Sequence, residues 1–111
     1  MYDLGRGVIE DDAKAVRWYR LSAEQGHAHA QFNLGLMYDF SHGVLQDDTE
    51  AVRWYRLSAE QGYASAQFNL GLMYDFGRGV IEDDAKAVRW YRLSAEQGHA
   101  RAQYYLGLMY D

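Results

Sequence analysis

Apolar positions along this chain recur at helical spacing, and the whole pattern returns at a fixed interval. The stretch Val16–Gly26 is repeated letter for letter as Val52–Gly62 and Val88–Gly98. The tryptophans give the period, since 54 − 18 = 36 and 90 − 54 = 36. Within it, Ala15, Trp18, Tyr19, Ser22 and Ala23 fall on one side of a helix, while Lys14, Arg17, Arg20 and Glu24 fall mostly outside that stripe. Gly26, Gly62 and Gly98 stop this helix, because glycine enters the left-handed cap conformation without a Cβ clash. A second helix is predicted at once, over Ala28–Asp39, Ala64–Asp75 and Ala100–Asp111. So short a link forces the two helices to run antiparallel. Gly35, Gly71 and Gly107 lie inside these second helices, where glycine costs about 1 kcal/mol against alanine. Close packing against a neighbour would offset that cost.

The repeating units span 4–39, 40–75 and 76–111, and Met1-Tyr2-Asp3 matches Met37-Tyr38-Asp39 as the tail of a missing helix. Each unit reads as loop, helix, turn, helix. The loop is cleanest as Phe76-Gly77-Arg78-Gly79-Val80, whose glycines permit positive φ at a sharp return. In the middle copy Ser41 takes the place of the first glycine, so that loop is either strained or reshaped. Asp11-Asp12, Asp47-Asp48 and Asp83-Asp84 stand where the first helix should begin, with carboxylates suited to capping free N–H groups. Glu50, three residues after Asp47, allows a capping box. The expectation is all-α: six helices, no strands, one solenoid domain of stacked hairpins with a 36-residue repeat.

Composition narrows the classes. A hydrophobic fraction of 49% and an aromatic fraction of 15% suit a folded soluble chain. The net charge of −5 disfavours nucleic acid and anionic membrane as partners. No apolar run approaches the roughly 18 residues that span a bilayer, and no secretory h-region follows Met1. Cysteine is absent, which removes disulfides and thiolate metal sites. As written the chain is expected in the cytoplasm, although a secreted parent could have lost a signal ahead of it.

The residues Ala64, Ala66, Leu70, Gly71 and Tyr74, the loop Gly77, Gly79, Val80 and Asp83, and the helix Lys86, Ala87, Trp90, Tyr91, Ser94, Ala95 and Gly98 together resemble the Sel-one-like repeat (SLR), a relative of the tetratricopeptide repeat. The resemblance covers essentially the whole chain, departing at Ser41 and at Glu50, where the family has glycine and lysine. In the family's register the Ala28, Ala64 and Ala100 helices come first, so two whole repeats are flanked by partial ones. The resemblance implies a right-handed α-solenoid with those helices lining its concave face. It also implies an adaptor that assembles other proteins. Some cysteine-rich relatives bind or hydrolyse β-lactams; without those cysteines that activity does not carry over.

On the proposed groove helices one stripe lies away from the core positions. It holds His29, Phe32, Asn33 and Leu36, then Ser65, Phe68, Asn69 and Leu72, then Arg101, Tyr104, Tyr105 and Leu108. The first and third units differ at four positions, Leu4/Phe76, His29/Arg101, Phe32/Tyr104 and Asn33/Tyr105, and three of these are in the stripe. A constant scaffold presenting a variable apolar and aromatic surface fits peptide or helix recognition. The alternative is that Phe32 and Phe68 pack between neighbouring helices. His27 and His29 do not make a metal pair, because residues two apart point to different helix faces and no third ligand is near. The acidic clusters recur at every helix start, which capping explains better than catalysis. The arginines Arg17, Arg20, Arg53, Arg56, Arg89 and Arg92 lie within a turn of Glu24, Glu60 or Glu96, so a mixed-charge outer face is expected.

Solenoid ends need polar caps. Here Trp18 and Tyr19 stand at one end, Leu106 and Tyr110 at the other, and internal junctions repeat the same pairing at Tyr38/Trp54 and Tyr74/Trp90. Self-association through these ends is therefore expected, head-to-tail or by exchange of end helices. The reading is a non-catalytic protein-interaction scaffold without cofactor or metal, binding a protein or peptide or assembling with itself. Two others stand beside it: an engineered or excised consensus fragment with no partner, and a weak hydrolase or β-lactam-binding protein.

Overall fold

In a computed structural model the described residues are 4–110, with side chains from Asp12 onward. Six helices follow one another: α1 (Leu4–Glu24), α2 (Ala28–Phe40), α3 (Asp48–Glu60), α4 (Ala64–Phe76), α5 (Asp84–Glu96) and α6 (Ala100–Met109). No strand occurs among the described residues. Each helix packs mainly on the next, giving an elongated stack of 46 × 28 × 27 Å.

The predicted stripe is the core in α3 and α5, whereas in α1 only Ala23 of the named positions is buried and Trp18 is exposed. In α3 the residues Ala51, Trp54, Tyr55, Ser58 and Ala59 are all buried, as are Ala87, Trp90, Tyr91 and Ser94 in α5. Tyr55 and Tyr91 set the spacing between pairs. A Cβ built on Gly35 would lie 2.6 Å from a Tyr55 ring carbon, and one on Gly71 would lie 2.6 Å from Tyr91. Only glycine lets the rings reach the α2 and α4 backbones, so the close approach offsets the mid-helix cost. Trp54 is buried with its indole N–H unpartnered among the described residues.

Capping follows the aspartates at α3 and α5. Asp47 accepts from the Glu50 N–H and Asp83 from the Lys86 N–H, both at 3.1 Å. The capping box is only half made, because the Glu50 carboxylate turns to Arg53 at 3.4 Å. At the first pair the expectation fails: α1 is continuous from Leu4, so the predicted loop at Leu4–Val8 is helical and Asp11-Asp12 lies inside the helix. The physical reason is visible at the other loops, where Gly43 rests on the Asp12 carbonyl of α1 and Gly79 on the Asp48 carbonyl of α3. Among the described residues no earlier helix lies under Gly7 to support the same return. The reading of Met1-Tyr2-Asp3 lies outside the described residues. At the far end α6 stops at Met109, short of Asp111, while α2 and α4 run one residue past expectation.

Ser41 is strained rather than reshaped. It closes α2 at φ 62, ψ 39, the same left-handed geometry as Gly77 at φ 65, ψ 40. Its hydroxyl donates to the Val44 carbonyl at 3.2 Å, a partial compensation. Ser41→Gly is therefore expected to stabilise the fold by about 0.5–1 kcal/mol, since the Cβ penalty outweighs one exposed hydrogen bond. Urea denaturation checks this; a loss of stability would mean the hydroxyl bond dominates.

Candidate functional site

The second helix of each pair starts after a positive-φ glycine and one further residue, and α2, α4 and α6 each pack mainly on the first helices beside them. The residues before them, His27, Tyr63 and His99, take the extended N-cap conformation. His99 goes further: its Nδ1 accepts from the Ala102 N–H at 3.2 Å and its ring stacks on Phe68 at 5.0 Å. Burial, then the nearby Arg101 charge, holds the His99 pKa below the usual imidazole range, so the neutral ring that can act as this cap is favoured.

Between α2, α4 and α6 lies a cavity of about 270 Å³. Seven of the twelve stripe residues line it: Phe32 and Leu36 from α2, Ser65, Phe68, Asn69 and Leu72 from α4, and Arg101 from α6. The remaining five lie elsewhere. His29 stacks on Tyr63 at 5.4 Å, Asn33 faces the opposite end of the stack beside Tyr19, and Tyr104 and Leu108 stand exposed at the α6 end. Tyr105 packs on Phe68 at 5.3 Å and on Tyr91 at 5.8 Å. Phe68 itself is only 1% exposed, so for this ring the packing alternative holds and it forms the floor rather than a contact. His29 stacks on Tyr63 while His27 makes no side-chain cap bond, and no metal-binding cluster occurs among the described residues.

Sequence reasoning missed part of the wall. Asp39, Phe40, Met73, Arg78 and His99 also line the cavity. Asp39 is buried and accepts from the Tyr55 hydroxyl at 2.7 Å and from Arg78. Arg78 also holds Asp48 through Nη2 at 3.0 Å and Nε at 3.3 Å. These ion-pair bonds, Asp48 first, raise its pKa further. The Tyr55 hydroxyl is pushed far up by burial and by the Asp39 carboxylate, so it stays a donor. The recurrence of Tyr-Asp at each helix end was the available signal, but its partners stand 16 and 39 residues away.

Charge on this face differs from the rest of the molecule. The only acids within α2, α4 and α6 are Asp39 and Asp75, and each accepts from a tyrosine hydroxyl, Tyr55 or Tyr91. Arg101 lies over the Phe68 ring at 5.0 Å. The outer arginines do not pair with Glu24, Glu60 or Glu96 among the described residues. Instead Arg20 donates to the Tyr38 hydroxyl at 2.5 Å, Arg56 to Tyr74 at 2.7 Å and Arg92 to Tyr110. Tyrosine offers an acceptor already fixed in the helix packing, whereas an exposed glutamate must be ordered to bond. No described helix is long and apolar enough to cross a membrane.

Known structures share this architecture. The c5321 protective antigen of uropathogenic Escherichia coli, which displays an SLR fold, superposes with a TM-score of 0.87 at 46% identity, over 88% of this chain and 21% of its own. A Sel1 repeat protein from Oxalobacter formigenes gives 0.86 at 44%, covering 89% of this chain and 39% of its own. Helicobacter pylori cysteine rich protein B shares the fold alone, with a TM-score of 0.77 at 20% identity over 82% of this chain and 68% of its own. The chain thus spans well under half the length of the first two. No curated protein matches it. The Sel1 repeat model matches residues 1–27, 28–63, 64–99 and 100–111, and the six-helix stack repeats at the same 36-residue interval. The chain belongs to the Sel1 repeat family.

Proposed function

We propose that the chain is a non-catalytic scaffold that binds a peptide segment of a partner protein along the face formed by α2, α4 and α6. Sel1 repeats generally serve as protein–protein interaction modules. The observation that carries the finer reading is the cavity between those helices, lined by seven residues of the stripe in which the near-identical units differ. Leu36 and Leu72 are half-buried in it and offer apolar contact on a rigid base. The acids of the face are already occupied and Arg101 stands at its rim. The peptide that fits best therefore carries an apolar residue for the cavity and an acidic group for Arg101.

The test is Leu36→Asp with Leu72→Asp. Panning a random peptide library on the intact chain should enrich such a motif, and the double variant should bind the enriched peptide at least about thirtyfold more weakly with helicity unchanged. Undiminished affinity in the double variant would refute binding at this face.

A further inference from the structure

The two inter-pair loops lie against each other on one edge of the stack. Gly79 of the second loop rests on the Asp48 carbonyl, and Arg78 bonds Asp39 and Asp48 on either side of the first. Each loop is also closed across its own base. The Asp47 N–H donates to the Tyr38 carbonyl at 3.1 Å, and the Asp83 N–H to the Tyr74 carbonyl at 3.0 Å.

These rigid loops present apolar side chains to water. Val44 and Val80 turn inward against the core, while the next residues, Leu45 and Ile81, are 88% and 90% exposed. Phe40 and Phe76, the last residues of α2 and α4, are 59% and 61% exposed. Leu45 has a following loop beside it and Ile81 a preceding one, yet the two are equally bare. A helix pair stacked on either side therefore leaves this position open, and the exposure belongs to each unit rather than to its place in the array.

Charge on this edge is one-sided. Asp47, Glu82 and Asp83 have no ion-pair partner among the described residues, and the capping aspartates each accept from a helix N–H through a single oxygen. Arg78 is neutralised by its two aspartates, and Lys86 is turned over the Tyr74 ring at 5.4 Å. A second copy would bring the same carboxylates and be repelled, as would an anionic bilayer. Cationic groups complement them.

We infer that this loop edge is a docking surface for a basic amphipathic segment of a partner protein. Its apolar side chains cover Leu45 and Ile81, and its lysines or arginines face Asp47, Glu82 and Asp83. The surface is distinct from the α2, α4 and α6 face and takes a cationic segment where that face takes an acidic group. Because the loops are held in place, docking orders little of the chain.

The test uses the intact chain and two synthetic peptides, one alternating leucine with lysine and one alternating leucine with glutamate. The lysine peptide should bind, more weakly as salt rises, and the glutamate peptide at least about tenfold more weakly. Leu45→Ser with Ile81→Ser should weaken the lysine peptide at least about tenfold with helicity unchanged, since both side chains are exposed. Leu36→Asn with Leu72→Asn, on the other face, should leave its affinity as it is. No binding of the lysine peptide, equal binding of both peptides, or binding that survives the loop pair of substitutions overturns the proposal. Binding to neutral phosphatidylcholine vesicles that the loop pair abolishes would assign the edge to a membrane and overturn it as well.

Discussion

Tyr55→Ala should lower the stability of the chain by about 4 kcal/mol, a large share of the roughly 5–15 kcal/mol that holds a domain of this size. The ring is fully buried, fills the gap over Gly35 and packs on Phe32. Neither helix can close the space, since the α2 backbone is already as near as glycine permits. The hydroxyl adds to the loss because it donates to the buried carboxylate of Asp39. Tyr55→Phe separates the two effects: it keeps the ring, leaves Asp39 with Arg78, and should cost only about 1–2 kcal/mol. Equilibrium urea unfolding measures both. A cost for Tyr55→Ala close to that for Tyr55→Phe would mean that the ring contributes little and that the pair spacing is set elsewhere.

The next largest effect is expected at a loop. Gly79 has φ +72, and a Cβ there would lie 2.4 Å from the Asp48 carbonyl oxygen and 2.7 Å from its carbon. Alanine would bear the left-handed penalty of about 1–2 kcal/mol and would also push the loop off α3, loosening the Arg78–Asp48 pair. The combined loss should be about 3 kcal/mol. Gly98 makes the internal control. It too has positive φ, +93, but a Cβ there meets nothing within 4 Å, so Gly98→Ala should show the conformational cost alone. Equal losses at the two sites would remove the contact with Asp48 as a reason for glycine at position 79.

How much of this was legible in the letters depends on the range of the interaction. The stripe from Ala51 to Ala59, the Asp47 cap and the glycine stops at 26, 62 and 98 are decided within one or two helical turns, and a repeated sequence displays them repeatedly. The break before α1 could not be read locally. Leu4–Val8 carries the same loop letters as Phe76–Val80 apart from its first residue, yet a loop forms only where an earlier helix lies under its second glycine. The partners of the arginines were equally remote, since Arg20 and Arg56 reach tyrosines 18 residues away rather than glutamates four away. On the candidate face, spacing placed Leu36, Leu72 and Arg101 on one side but could not show that Phe68 would be roofed by His99 and Tyr105. The acidic and basic residues of that face, Asp39 and Arg78, come from positions that only tertiary folding brings together.

The two inter-pair loops are not equal in what they fasten. Arg78 ties the second loop to Asp48 at the head of α3 and to Asp39 at the foot of α2, so it clamps three successive segments at once. At the matching place in the first loop stands His42, whose shorter side chain lies 3.9 Å from Asp12 alone. Opening motions should therefore begin at the α1 side and stall at the guanidinium, leaving the α3–α5 portion as the slow-exchanging heart of the stack.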